Sequence, residues 1–194
     1  MKFFGLKSFY IVTDIKEHQQ KKSQLLKCID AMPQDSINDG VEVTSKTDWN
    51  IPSTHNREYL DIFSEMLTPY MDEMASKLRC ETWDIYNTWY QVYNRPGDKH
   101  GWHTHMYANY TNVYYLSLPN RSIKTQLYDV MSNRIIKDVK VREGQVLTFP
   151  ASIIHRSPEN DNNQKVVISF NSNFCDPNVK WLKIGLKKSQ IGKK

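Results

Sequence analysis

The spacing of apolar residues changes near residue 80, and this change limits the folds that are open to the chain. Before it, apolar side chains recur every three or four residues, which is the spacing of amphipathic helices. After it, short runs rich in Val, Ile, Tyr, Trp and Phe alternate with turn residues, which is typical of β-strands. The sequence therefore predicts an α+β protein in which helices come first and antiparallel strands follow.

Two helices are predicted in the first part of the chain. Apolar residues at helical spacing predict a helix over residues 16–31, which ends before Pro33 because the residue preceding a proline disfavours helical geometry. A second helix is predicted over residues 56–79, and we expect Pro69 to kink or divide it. The polar connection between the two helices contains a short predicted strand at residues 41–43.

Seven strands are predicted after residue 80. They cover residues 82–93, 103–107, 111–118, 126–129, 135–141, 145–149 and 166–173. Short strands of this kind, backed by helices, favour an antiparallel barrel or sandwich. We expect one domain over residues 1–194, divided into a helical support region (1–80), a β core (81–175) and a basic C-terminal tail (176–194).

Composition excludes several classes of protein. A chain of 194 residues, 39% of them hydrophobic, is long enough to bury a core. It has no run of about 18 apolar residues and no start that resembles a signal peptide, so neither a membrane span nor secretion is expected. Three scattered cysteines predict neither a disulfide framework nor a thiolate zinc site, which points to the cytoplasm. The net charge of +5 comes without a nucleic-acid-binding motif, so nucleic acid is not an expected partner.

Histidines in the β region form a candidate metal site. His103 and His105 are two residues apart in a predicted strand, so both side chains project from one face. His155 follows a strand that ends at Phe149-Pro150, and antiparallel strands can return it to the pair. Three imidazoles leave coordination positions of a metal unoccupied and suit divalent iron. Zinc, copper, nickel and manganese are also compatible with imidazole ligands. From the spacing alone, hydrogen-bonded core histidines are the alternative.

The order of the motifs around these histidines resembles that of a family of 2-oxoglutarate- and Fe(II)-dependent oxygenases found in bacteria and their phages. The shared features span residues 83–174 and comprise His-x-His at 103–105, Val-Tyr-Tyr at 113–115, Gly…Phe-Pro…His from 144 to 155, and Ile-Ser-Phe-Asn at 168–171. The resemblance implies a double-stranded β-helix, the jelly-roll or cupin-like fold, with N-terminal supporting helices. It also implies a dioxygenase that couples decarboxylation of 2-oxoglutarate to hydroxylation of a substrate.

Carried over residue by residue, the resemblance assigns roles within this site. The residues that it gives to iron are His103, His105 and His155. It gives Lys165 to the distal carboxylate of 2-oxoglutarate, for which the alternative is a solvated lysine on an edge strand. Tyr115 and Tyr93 are candidate hydrogen-bond donors to the same co-substrate, with core packing as the alternative. Fe(II), 2-oxoglutarate, dioxygen and a peptide or small-molecule substrate are thus the expected cofactor and partners.

One position departs from the wider superfamily. Most 2-oxoglutarate oxygenases have a carboxylate where His105 stands, which makes Asp98 and His100 alternative ligands on the preceding turn. Three aromatic residues near the expected mouth of the site are candidates for a substrate groove, with packing against the helices as the alternative. They are Trp89, Trp102 and Tyr107.

Two further functions remain open from the sequence. The segments Gly97…His103-x-His105 and Gly144…Pro150…His155 resemble the two cupin motifs. The first lacks the usual Glu after His-x-His, and the second has Ser152 where a Gly is usual. A cupin-type three-histidine dioxygenase would change the reaction more than the architecture. The missing carboxylate also leaves open a non-catalytic β-helix module, such as a phage structural component, and a phage-encoded protein would act in the host cytoplasm.

Overall fold

The computed structural model describes Lys2, residues 8–33 and residues 46–175, so the predicted strand at 41–43 and the tail of residues 176–194 lie outside the described residues. The described chain is mostly β-sheet with two α-helices, which confirms the predicted α+β class. None of the three cysteines forms a disulfide in this structure. Within the described ranges, no helix combines the length and the apolar character needed to cross a membrane.

The two predicted helices are present, with their starts displaced by two residues. Helix α1 spans His18–Ala31 and helix α2 spans Glu58–Leu78. Pro69 lies inside α2 without dividing it, so the predicted division is wrong. Pro69 and Glu65, whose carbonyl loses its helical N–H partner, are both exposed, and water can therefore replace the missing hydrogen bond.

Over the described ranges, ten strands form two antiparallel sheets. In chain order they are β1 Ile11–Asp14, β2 Lys46–Thr47, β3 Thr82–Tyr93, β4 His100–His103, β5 Tyr110–Ser117, β6 Gln126–Asp129, β7 Arg134–Ile136, β8 Gln145–Pro150, β9 His155–Ser157 and β10 Lys165–Cys175. The larger sheet has the order β1-β8-β5-β10-β3-β2, and the smaller has the order β4-β9-β6-β7. Strand β10 is therefore central, since β3 and β5 pair with its two sides.

Two strand predictions are wrong in their bounds. The predicted strand at 103–107 is β4, which instead ends at His103; the chain turns away after it, and Tyr107 has a left-handed φ of 63°. The predicted strand at 135–141 is only β7, because the chain leaves the ladder and buries Val139 and Val141 in the core instead. The short strands β1, β2 and β9 were not predicted.

Side chains of the large sheet alternate between two buried clusters, one on each face. Tyr114 of β5 faces the helices, where its ring packs on Phe63 of α2 and its hydroxyl lies 2.6 Å from Nδ1 of His18. Its neighbour Tyr115 faces the other way, into a second apolar cluster that includes Leu127 of β6. The helices thus cover one face of the large sheet, and the other face is turned toward the small sheet.

Candidate metal centre

The structure brings the three predicted histidines together. Their candidate ligand nitrogens all lie within 4.8 Å of one another. His103 ends β4 and is the cross-strand partner of His155, which begins β9. His105 lies two residues beyond β4, where its N–H donates to the Ala151 carbonyl at 3.0 Å. The three histidines therefore lie close together, but the predicted reason, two histidines on one strand face, is wrong for His105.

Main-chain carbonyls orient two of these imidazoles. Nδ1 of His103 lies 2.7 Å from the Gly101 carbonyl, and Nδ1 of His155 lies 3.0 Å from the Ile153 carbonyl. A carbonyl oxygen only accepts, so each Nδ1 carries the proton in the inferred hydrogen-bond network. The lone pair of each Nε2 is therefore left for a metal ion.

Side chains, in contrast, hold His105. Its ring stacks on that of Trp89, with centroids 5.5 Å apart, and its Nδ1 lies 3.1 Å from the side-chain amide nitrogen of Asn171. Its Nε2 lies 3.3 Å from Nε2 of His155. Two ligands at right angles on a metal with bonds of about 2.1 Å are separated by about 3 Å, so this spacing suits joint ligation.

The environment keeps these histidines uncharged at neutral pH. Burial lowers the pKa of His103, and it lowers the pKa of His155 well below the ordinary value. Burial and the neighbouring imidazoles lower the pKa of His105 to about 3. Three neutral nitrogen donors fit a divalent transition metal, and no carboxylate of the described ranges belongs to the cluster.

Lys165 lies in the same cavity as the histidines. It begins the central strand β10 and is 2% exposed, so the alternative of a solvated edge-strand lysine is wrong. Its ammonium group donates to the Ile123 carbonyl at 2.9 Å and to Oγ of Ser157, and it lies 4.0 Å from the centre of the Tyr93 ring. Burial lowers its pKa to about 7, against a weaker opposing effect of Asp161.

This ammonium group forms no ion pair in the part of the chain that the structure describes, and Asp161 acts on it only from beyond ion-pair distance. Its contacts are a carbonyl, a hydroxyl and an aromatic ring, and no carboxylate lies within ion-pair distance. A buried charge without a counter-charge is costly unless something compensates for it. An anion bound in the cavity would therefore stabilise this ammonium group.

Both sheets line this cavity. Its wall is formed by Trp89, Gln91, Tyr93, His100, His103, His105, Thr111, Val113, Tyr115, Thr125, His155, Arg156, Ser157, Lys165, Val167 and Ser169. Its volume of about 30 Å³ holds one or two water molecules.

The two predicted tyrosines both line the cavity, but their hydroxyl groups are not equivalent candidates. The ring of Tyr93 lies beside the Lys165 ammonium group. The hydroxyl of Tyr115 donates to Oγ1 of Thr125 at 2.7 Å and accepts from the Thr125 N–H at 3.0 Å. Burial raises the pKa of Tyr115 to about 12. Its hydroxyl proton is therefore already engaged by a protein acceptor.

The alternative ligands Asp98 and His100 are not part of the cluster. Oδ2 of Asp98 accepts from the N–H groups of Asn94 and Arg95, each at 2.8 Å, and thereby holds the turn before β4. His100 stacks on His103 with ring centroids 4.0 Å apart, and its Nδ1 lies 3.0 Å from the Gln91 amide nitrogen. Both residues support the site from outside the group of ligand atoms.

The three candidate groove aromatics lie in different surroundings. Trp89 is buried against His105, so it forms part of the metal-site wall. Trp102 is 39% exposed and lies under the Arg156 guanidinium group at 4.5 Å. Tyr107 is 70% exposed. Trp102 and Tyr107 are therefore the two that are available to contact a substrate.

Sequence reasoning missed the role of Asn171 beside His105. The signal was present, because Lys165, Ser169 and Asn171 are polar residues on one face of a central strand. Polar side chains at alternate positions of a buried strand indicate a polar cavity on that face.

Comparisons with known proteins agree with this architecture. No protein-family model matches the chain, and no curated protein matches its sequence. Solved structures do match. A prolyl-4-hydroxylase of Pseudomonas putida shares 12% identity and a TM-score of 0.60, over 84% of this chain and 91% of that chain. A Trichoplax adhaerens prolyl hydroxylase, solved with a hypoxia inducible factor peptide, shares 13% identity and a TM-score of 0.60, over 92% and 87%.

A third similar structure catalyses a different reaction. SnoN, a non-heme alpha ketoglutarate dependent epimerase from nogalamycin biosynthesis, shares 9% identity and a TM-score of 0.64, over 96% of this chain and 87% of that chain. At such identities the likeness concerns the fold alone. The predicted resemblance to 2-oxoglutarate/Fe(II) oxygenases is confirmed at that level.

Proposed function

We propose that the protein is an Fe(II)- and 2-oxoglutarate-dependent dioxygenase with a double-stranded β-helix fold, which hydroxylates a substrate. The observation that carries this proposal is the pairing, in one cavity, of three neutral imidazoles with a buried, unpaired ammonium group. 2-Oxoglutarate has the matching chemistry, since one end chelates a metal through a keto acid and the other end is a carboxylate. The fold shared with enzymes of this class supports the same conclusion.

In this proposal His103, His105 and His155 hold the metal through Nε2. The bound iron supplies activation of dioxygen, coupled to oxidative decarboxylation of 2-oxoglutarate to succinate and carbon dioxide. Lys165 binds the distal carboxylate by exchanging its contact with Ser157 for an ion pair, which the dry surroundings strengthen. The rings of Tyr93 and Trp89 exclude water from the two ends of the co-substrate.

We further propose that Tyr93 contacts the co-substrate and that Tyr115 does so only if its hydroxyl leaves Thr125. The substrate is a peptide or a small molecule that contacts the exposed side chains of Trp102 and Tyr107. The cytoplasm is the proposed location.

The test is single-turnover chemistry with the purified protein. We expect one metal ion per chain and formation of succinate from 2-oxoglutarate in the presence of Fe(II) and oxygen. His155→Ala is expected to lose both, and Lys165→Met is expected to retain the metal while losing succinate formation at low co-substrate concentration. Stoichiometric iron binding without any succinate from the wild-type protein contradicts the proposal.

The donor set favours one second candidate. Three histidines without a carboxylate are also a suitable site for a cupin-type metal dioxygenase that uses no 2-oxoglutarate. In that case 2-oxoglutarate does not bind to the metal-loaded protein, and Lys165→Met leaves oxygen consumption with the true substrate unchanged. The two functions therefore differ in their response to the same variant.

A further inference from the structure

The hydrogen bonds around His105 fix which of its nitrogens carries the proton. Nε2 of His155 is an acceptor, because Nδ1 of that ring donates to the Ile153 carbonyl. Nε2 of His105, 3.3 Å away, must then be the donor between the two rings. Nδ1 of His105 is consequently an acceptor, and the amide nitrogen of Asn171 donates to it at 3.1 Å.

This set of hydrogen bonds leaves no polar group without a partner, but it does not allow a metal to bind to Nε2 of His105. The Thr111 hydroxyl donates to Oδ1 of Asn171 at 3.1 Å, so every polar group of the chain of contacts has a partner. Ligation through Nε2 of His105 requires that nitrogen to lose its proton and Nδ1 to carry one. Nδ1 would then face the NH₂ group of Asn171, donor against donor.

A half-turn of the Asn171 amide removes this conflict. The oxygen and nitrogen of the amide exchange places with almost no change in shape. Oδ1 then accepts from the Nδ1–H of His105, and the NH₂ group donates to the Thr111 hydroxyl, which can accept as readily as it donates. No backbone movement is needed, since Asn171 and Thr111 are cross-strand partners in β10 and β5.

The tautomer of His105 depends on a side chain, whereas the tautomers of the other two histidines depend on the main chain. His103 and His155 donate to main-chain carbonyls, which favour the metal-binding tautomer permanently and which no side-chain substitution removes. The amide of Asn171 can favour either tautomer of His105. The group that decides whether the third ligand is available therefore lies on β10, outside the ligand set.

We propose that Asn171 is a positioning residue that couples metal binding to the tautomer of His105: its amide donates to Nδ1 when Nε2 is protonated and turns to accept from Nδ1 when Nε2 binds a metal. The inference rests on the proposed metal centre and deepens it, because it names the residue that tunes the third ligand. Loss of a group that orients a ligating histidine lowers metal affinity by about 10- to 100-fold.

The test uses Zn²⁺, which is diamagnetic, with imidazole ¹⁵N NMR to assign tautomers and a competition titration to measure affinity. In the wild-type protein we expect the proton of His105 to move from Nε2 to Nδ1 as Zn²⁺ binds. Asn171→Leu is expected to bind Zn²⁺ about 10- to 100-fold more weakly. Asn171→Asp, which only accepts, is expected to bind at least as tightly as wild type and to hold His105 as the Nδ1–H tautomer without metal.

A matched control separates positioning from general destabilisation. Asn112 of β5 is also buried, but its amide donates to the Phe170 carbonyl and to Ser172 and accepts from Thr148, whose hydroxyl also contacts Tyr70 of α2. Asn112→Leu is expected to lower the free energy of unfolding without changing Zn²⁺ affinity in the folded protein.

The outcomes distinguish this inference from the proposed function. If Zn²⁺ binds to the three histidines but its affinity is the same in wild type and Asn171→Leu, the inference is wrong and the metal centre stands. If Asn171→Leu does not fold, Asn171→Asp decides, since an Nε2–H tautomer of His105 in that metal-free variant overturns the inference. If the wild-type protein binds no metal at these histidines, both proposals fail.

Discussion

Lys165 has a buried ammonium group that forms no ion pair among the described residues. Replacing it with Met keeps a similar volume and removes the buried charge. We expect Lys165→Met to bind 2-oxoglutarate at least about 30-fold more weakly, since losing one partner of a buried charge pair costs about 2–5 kcal/mol. Calorimetric titration of the metal-loaded protein measures this affinity.

The same variant is expected to be no less stable than wild type in urea, because it removes a buried ammonium group that forms no ion pair among the described residues. A large loss of stability in Lys165→Met, with an unchanged affinity for 2-oxoglutarate, would show that the lysine serves the fold and not the co-substrate.

The lowered pKa of Lys165, about 7, predicts how co-substrate affinity depends on pH. In the free protein the side chain is charged below this pH and neutral above it, whereas a bound carboxylate favours the charged form and raises the pKa. Binding therefore takes up a proton above pH 7, and affinity is expected to fall by up to about tenfold per pH unit there while staying level just below it.

Lys165→Arg is the control for this pH dependence. Arginine stays charged throughout the range, so the slope between pH 7 and 9 is expected to vanish in that variant. Calorimetry in buffers of different ionisation enthalpy counts the protons directly. An equal slope in wild type and Lys165→Arg would assign the pH dependence to another group.

At the scale of the elements, sequence patterns predicted the bounds of some strands and missed the strand end that a turn sets and the shortest strands. Strands β3 and β6 have their predicted bounds, because turn residues follow each of these runs of strand-favouring residues. The bounds of β4 were wrong because the chain turns after His103, and no apolar pattern marks that turn. Two- to four-residue strands such as β1, β2 and β9 exist only through their partners, so local sequence carries little sign of them.

The contact between α1 and the turn that precedes β8 leads to a prediction about stability. Gly144 has a φ of +81°, and an added Cβ would lie 2.9 Å from Cδ2 of His18. That ring is held by Tyr114, so it cannot easily move. We expect Gly144→Ala to lower the free energy of unfolding by the cost of left-handed backbone, about 1–2 kcal/mol, and by a further contribution from the clash.

Gly97→Ala is the matched control, because its φ is +87° and nothing lies within 4 Å of the added Cβ. It should show the backbone cost alone. Urea unfolding of both variants measures the difference. Equal losses would mean that His18 adapts and that the junction is less rigid than its contacts indicate.

At the scale of the whole molecule, the candidate metal centre lies where the two sheets face each other. His103 and His155 belong to the small sheet, while the wall behind them comes from β3, β5 and β10 of the large one. The apolar cluster shared by the helices and the large sheet includes Phe63 and Phe170. We therefore propose that the chain forms one domain.

This arrangement predicts that a bound metal stabilises the folded chain. The unfolded chain cannot hold the three histidines together, so a free metal concentration of 100 times the dissociation constant adds about 2.7 kcal/mol. Thermal unfolding with and without Zn²⁺ is expected to show a higher midpoint in wild type and no shift in His155→Ala. A shift of the same size in both proteins would place the bound metal elsewhere.

The members of the candidate site could be proposed from the sequence, whereas the contacts that orient them could not. The histidines and Lys165 were predicted because motif order and spacing survive in the sequence. The tautomer-setting carbonyls of Gly101 and Ile153 and the amide of Asn171 were not, because their roles depend on side chains and backbone meeting at distances that only the folded chain defines.

The most direct measurement is anaerobic titration of the Fe(II)-loaded protein with 2-oxoglutarate, followed by visible absorption. Chelation of Fe(II) by the keto acid gives a charge-transfer band. We predict that the band appears in wild type, is absent in His103→Ala, and requires at least about 30-fold more 2-oxoglutarate in Lys165→Met. A wild-type protein that binds iron but shows no band at any concentration of 2-oxoglutarate would contradict the proposed function.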